Sequence, residues 1–246
     1  MPFDTATLVF ITLVLLLAGF IKGVIGFGLP SISMGLLGLV MAPSQAAALL
    51  LAPNIITNIL QGVNGPALVP LLKRLGLFLI TTVVGALLWE YATGGKDLRW
   101  ATRLLGLTLV IYALLGLFRI RFSLKPAHET WVGALSGLAT GAMTIATGVF
   151  VIPSGPYLQA IGLEKDELVQ ALGLSFLVAS VSLGLVLLMR GGLGSDVALS
   201  SAAALVPAMG AMFAGQWMRS RISADLFRKL FFTGLLALGG FLMVRG

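Results

Sequence analysis

From Leu8 to Leu60 the chain carries one charged residue, Lys22. A helix needs about 20 mostly apolar residues to cross about 30 Å of hydrocarbon, so this stretch alone holds more than two crossings. The rest of the chain continues in the same way. Only 10% of the 246 residues are charged, against roughly 25% in an average soluble domain, and the mean hydropathy is +1.05. These features define an all-α polytopic membrane protein. No polar stretch is long enough to form a separate soluble domain, and the alternating strands of a membrane barrel are absent.

Five apolar segments fill the first half, 6–22, 23–42, 44–62, 68–90 and 99–118; after a polar linker, 119–130, come 131–146, 147–163, 167–189, 196–217 and 225–244. The chain is expected to divide into two homologous transmembrane repeats, 1–122 and 123–246. GFIKGVIGFGLPS (19–31) follows the pattern of GLATGAMTIATGVFVIPS (137–154), with Gly19 over Gly137 and Gly23 over Gly141, and both runs reach a proline, Pro30 or Pro153. SQAAALLLAPNIITN (44–58) lies over DELVQALGLSFLVAS (166–180), which sets Asn54 over Phe176 and Asn58 over Ser180. Helix breaks are expected at Gly23, Pro30, Pro53 and Pro153. Paired Gly/Pro interruptions in two halves point to the binding site of a transporter built from repeats. The competing explanation is that small residues simply allow close helix packing; recurrence at matching places favours the first.

Basic residues set the orientation. With ten crossings, eleven Lys and Arg fall on one side (Lys22, Lys73, Arg74, Arg119, Arg121, Lys125, Lys165, Arg219, Arg221, Arg228, Lys229) and five on the other (Lys96, Arg99, Arg103, Arg190, Arg245). If 23–42 and 147–163 only re-enter, eight segments cross fully and the count is nine against seven. The charge rule favours ten crossings and an inverted repeat, with both termini outside the cytoplasm, while crossing or re-entry of the two broken segments stays open. The N-terminal run lacks the basic region and cleavage site of a secretory signal and is expected to remain as the first helix.

Several chemistries are excluded by what is missing. With no cysteine, and with its only histidine, His128, in the polar run RFSLKPAHET, the chain has no thiolate, haem or His-rich metal site. The net charge of +7 sits in short loops and reads as topology signal and headgroup contact, not as a nucleic-acid surface. No buried Asp, Glu or His is expected, because the acids of the apolar segments stand at their ends, so there is no evident proton relay, carboxylate Na⁺ site or acid/base pair. GFGLPS lacks the GK[ST] of a phosphate loop. Neither an enzyme nor a cofactor is expected.

Lys22 is the exception that invites a function. It could snorkel to the headgroups, but two features oppose that. Gly23, Gly26, Gly28 and Pro30 follow at once, and irregular backbone inside a membrane is tolerated only in protein or along a watery cavity. No acid lies within the apolar interior to pair with it, since Glu90 and Asp196 stand at segment ends, so an anionic ligand would supply the missing partner. Helices restarting after Gly28 and Gly148 would add positive dipole ends. Ser31 and Ser33 in the first break, and Thr140, Thr144, Thr147 and Ser154 in the second, offer hydroxyls, although such groups often bond back to their own helix. Asn54, Thr57, Asn58 and Gln61 add a polar face beside Pro53, and Gln170, Ser175, Ser180 and Ser182 form a lighter one in the second half. The expected substrate-binding set is Lys22, Gly26, Gly28, Ser31, Asn54, Asn58, Gln61, Thr144, Thr147, Gly148, Ser154 and Ser175.

GFIKGVIGFG followed by a proline, with the second Gly-rich copy closing in VIPSGPYLQAIGL, resembles the TauE/SafE family of membrane transporters, the sulfite exporters or 4-toluene sulfonate uptake permeases. VQALGLSF and MRSRISADLFRKLF extend the resemblance over essentially the whole chain. It implies transport of a small sulfur-containing or organic anion (sulfite, thiosulfate, sulfoacetate or a related sulfonate or carboxylate) across the bacterial inner membrane. Where the family often has a glycine cluster, TGAMTIATGVF places Thr144, Ala146 and Thr147, so the substrate is not carried over. The expected mechanism is secondary transport by alternating access, with a passive anion channel as the alternative. A coupling ion (H⁺ or Na⁺) and a homodimer are left open as partners.

Overall fold

The structure, a computed structural model, describes residues 4–95, 100–120, 122–221 and 223–245. Lys96, Arg99 and Arg121, which entered the charge count, lie outside the described residues. The described residues form α1 (Thr5–Ile25), α2 (Leu29–Leu37), α3 (Pro43–Leu49), α4 (Leu51–Gly62), α5 (Leu68–Thr93), α6 (Ala101–Leu117), α7 (Pro126–Thr147), α8 (Ser154–Ala160), α9 (Lys165–Met189), α10 (Ser195–Met218) and α11 (Ala224–Arg245), with no strand among them. Five of these, α1, α5, α9, α10 and α11, are long and apolar enough to cross a membrane, and α6 is a shorter apolar helix. Their outer faces present side chains such as Leu13, Ile80, Leu88 and Val206, each more than half exposed, as lipid contact requires.

The breaks differ in place from the expected ones. α1 runs through Gly23 and closes at Gly26, whose φ of 85° lets its N–H turn back to the Lys22 carbonyl at 2.7 Å. Gly28 is also left-handed, at 105°, and Pro30 sits in the first turn of α2, where a missing N–H costs nothing. Phe27, between the two glycines, meets Tyr112 and Phe231 edge-on with centroids 6.3 and 6.2 Å away, which pins the break to α6 and α11. In the second half α7 closes at Gly148, and α8 starts only at Ser154, after a cis Ile152–Pro153 bond. Pro53 lies inside α4, not at a break; the hitch falls at Leu50, because Pro53 has no N–H to give the Leu49 carbonyl. The nine residues of α2 and seven of α8 rise about 14 and 10 Å, so neither helix spans the hydrocarbon by itself.

Gly23 has a different role from breaking the helix. α1 lies along α10 and α7 along α5, and both contacts are made backbone to backbone. A β-carbon on Gly23 would run into the Met212 carbonyl and Gln216 amide of α10; one on Gly141 would meet the Thr82 carbonyl and Ala86 amide of α5. Gly215 answers from α10 against Phe20, as Gly85 answers from α5 against Leu138. Gly19 against Ala208 and Gly137 against Phe78 complete two seams of the same design, each using glycines four apart. Contacts advance together along both members, so each pair is parallel.

Two further pairs are antiparallel. α4 meets α9 with Gly62 against Gly173 and Leu51 against Gly184, and α6 meets α11 with Gly106 against Gly239 and Gly116 against Phe232. The two α4–α9 contacts interchange in the register that lays 44–58 over 166–180. With α3 and α4 counted as one bent element, exchanging the first five elements with the last five turns the α1–α10 seam into the α7–α5 seam.

Gly23→Ala and Gly141→Ala are expected to destabilise by about 1–3 kcal/mol each through overpacking. Gly76→Ala and Gly234→Ala, with open space beside the glycine, should unfold like the parent. Chemical unfolding in detergent reads the difference, and equal behaviour of the four would contradict the seams.

Candidate functional site

Lys22 points inward from the last turns of α1 and is 2% exposed. Its ammonium donates to Thr57 Oγ1 at 2.9 Å and to Asn58 Oδ1, both on α4. Thr57 can accept because its own proton is directed elsewhere, to the Pro53 carbonyl at 2.6 Å. Both partners are neutral, and no carboxylate pairs with Lys22 among the described residues. Inserting a lysine at membrane depth costs about 3 kcal/mol, and each hydrogen bond to a charged group contributes about 1.5–3 kcal/mol. Two such bonds therefore hold the cation in place without neutralising it.

An ammonium has three donors, and one remains. Asn58 turns its oxygen to Lys22, so its Nδ2 stands on the same amide, buried and without a hydrogen-bond partner. The ammonium and this amide nitrogen together present N–H groups within a few ångströms of one another, suited to two oxygens of one anion. Asn54 Oδ1 one turn back on α4, Ser31 and Ser33 on α2, Thr140 on α7 and Ser175 on α9 are also buried with unpartnered oxygens.

Other members of the expected set are occupied. Thr144 and Thr147 donate to the carbonyls of Thr140 and Met143, each at 2.7 Å, and Ser154 to that of Phe150 at 2.5 Å. Gln61 Nε2 donates to the Val169 carbonyl at 2.8 Å and ties α4 to α9. Gly26, Gly28 and Gly148 act as helix caps. α8 begins at Ser154, not directly after Gly148, so the second break does not restart a helix where the spacing suggests. Thr57, outside the expected set, joins it by contact with Lys22; its place beside Asn58 on a polar helix face was the signal for it.

These features define a multi-pass helical membrane protein with, among the described residues, one buried and incompletely satisfied cation. Residues 11–242 match the model of the family Sulfite exporter TauE/SafE. The chain belongs to this family, whose members are membrane transporters exporting sulfite or sulfonates. No curated protein and no solved structure matches it.

Asn58→Asp supplies the counter-charge that Lys22 lacks and is expected to raise the thermal unfolding midpoint, by roughly 2–4 °C for each kcal/mol gained. A lower midpoint would mean that the ammonium is already neutralised by other means.

Proposed function

We propose that the chain is a secondary transporter for a small oxyanion, sulfite or an organosulfonate, in the bacterial inner membrane, and that Lys22 with Asn58 binds the anion. The observation that carries this is the buried ammonium held only by neutral acceptors, with a spare N–H next to the unpartnered Asn58 amide nitrogen. Asn54, Ser31, Ser33 and Thr140 are the groups suited to orient it. The membership of the family supports the substrate class. Among the described residues no carboxylate pairs with the lysine, and transport without chemical change is the reading that the family supports.

The two halves, 1–122 and 123–246, are inverted repeats in this proposal, each with five elements, the second of which crosses as a broken segment. The support is geometric. A two-fold axis that exchanges antiparallel neighbours such as α4 and α9, or α6 and α11, must run across them, in the plane of the membrane. The basic ends then face the cytoplasm and both termini the opposite side. Because α1 packs on α10 and α7 on α5, the rocking bodies of an alternating-access cycle are these interleaved pairs, not the sequence halves. Protons or Na⁺ remain candidates for coupling, and a homodimer for assembly.

The test is counterflow in proteoliposomes. Preloaded sulfite should drive saturable uptake of labelled sulfite or a sulfonate, and Lys22→Gln and Asn58→Asp should each lower it at least about tenfold, or ~1.4 kcal/mol, while the protein stays folded. Single-channel currents without counterflow would favour the passive channel instead. Among sulfite, thiosulfate, sulfate, sulfoacetate and taurine, the bound species should stabilise the parent by about 2.7 kcal/mol at a hundredfold excess over Kd, and Lys22→Gln not at all.

A further inference from the structure

One end of the molecule contains a cavity of about 100 Å³, walled by Ala47 of α3, Trp89 of α5, Ile145, Thr147 and Gly148 at the end of α7, and Leu183, Leu187 and Arg190 of α9. Arg190 braces this end by a paired contact with Glu90, its Nε and Nη2 at 2.9 and 2.5 Å from the carboxylate. In the register that lays 44–58 over 166–180, Ala47 corresponds to Val169 and Leu183 to Gln61. These counterparts lie about 21 Å further along α9, toward the opposite end.

There the same two positions are joined. Gln61 Nε2 donates to the Val169 carbonyl at 2.8 Å, and the left-handed cap at Gly26 lies against the Val169 methyls. Gln170 closes the next layer: its Nε2 donates to the Gly62 carbonyl at 3.0 Å, and its Oε1 accepts from the Ala67 N–H at 3.0 Å. The Gln170 side chain also fills the space beside Gly65, the counterpart of Leu187. A position pair that walls a cavity at one end is thus hydrogen-bonded shut at the other.

We propose that this is the conformation open at the Arg190 end, where the cavity is the anion's way in, and that Gln61 and Gln170 are the seal at the opposite end. The proposal rests on the inverted-repeat geometry above. Exchanging the two arrangements gives the second state: the hydrogen bonds of Gln61 and Gln170 break, the Gln61 end opens and the cavity collapses. The seals differ in chemistry. Ala47 and Leu183 have no polar side-chain atom, so this pair, unlike Gln61 and Val169, cannot be joined by a side-chain hydrogen bond when the Arg190 end closes. The glutamine bonds exist in the present state alone, and they bias the resting protein toward it.

The chain has no cysteine, so one introduced thiol reports on the cavity. Ile145→Cys should react with a charged, water-soluble thiol reagent in nanodiscs without any anion present. Adding Gln61→Ala, or separately Gln170→Ala, should slow that reaction at least about threefold, because weakening the far seal empties the open state. Two substitutions at the same seal keep the test alive if one of them fails to fold. Unchanged or faster labelling in the folded variants would overturn the proposal, since simple loosening accelerates labelling. Failure of Ile145→Cys to react at all would overturn it too. As no anion enters the assay, these outcomes stand apart from any failure of Lys22 to bind one.

Discussion

Lipid tails are as apolar as leucine, so helices in a bilayer gain little by hiding apolar surface from it and must associate through close packing. In this molecule the closest approach is made where backbone meets backbone, at Gly19, Gly23 and Gly215 on one seam and at Gly137, Gly141 and Gly85 on the other. The other features are positioned by these seams. They hold α1 at a fixed rotation, and that rotation turns Lys22, one residue before Gly23, away from α10 and toward α4. A change in the α1–α10 packing would move the ammonium off Thr57 and Asn58.

The twin of Lys22, when Gly19 and Gly23 are laid over Gly137 and Gly141, is Thr140. It too is buried, with its oxygen unpartnered. The two seams are therefore alike in their glycines and unlike in charge: α1 presents a cation where α7 presents a hydroxyl. A second lysine at that position would double the insertion cost of a few kcal/mol and leave the interior with two uncompensated charges.

Much of this could be read from the residues alone. The apolar runs dictated an all-helical membrane protein, and Lys22 stood out because it had no company. Gly19 and Gly23 laid over Gly137 and Gly141 picked out the glycines of both seams, but not what they touch: a small residue shows that something comes close, not which helix it is. For that reason Gly23 looked like part of the break, whereas the chain turns only where Gly26 and Gly28 take left-handed conformations. Gln61 was readable as a residue on a polar face, but a face has no address, and the structure directs its amide to Val169 instead of Lys22. Thr144, Thr147 and Ser154 followed the commoner habit of hydroxyls in helices and bonded their own backbone.

The interleaving of the halves has a consequence for how the protein is made. α1 is synthesised before the other described helices, and its glycine-lined face packs on α10, which begins at Ser195. At about 5–20 residues per second, α1 waits on the order of 10–40 s in the bilayer for the partner of its glycine face. Lys22 waits for a shorter time, until Thr57 and Asn58 arrive on α4. During that interval the charge has no neighbours except lipid, water and whatever escorts nascent helices. The apolar bulk of α1, with no other charge within the helix, is what keeps it inserted until its partner is built.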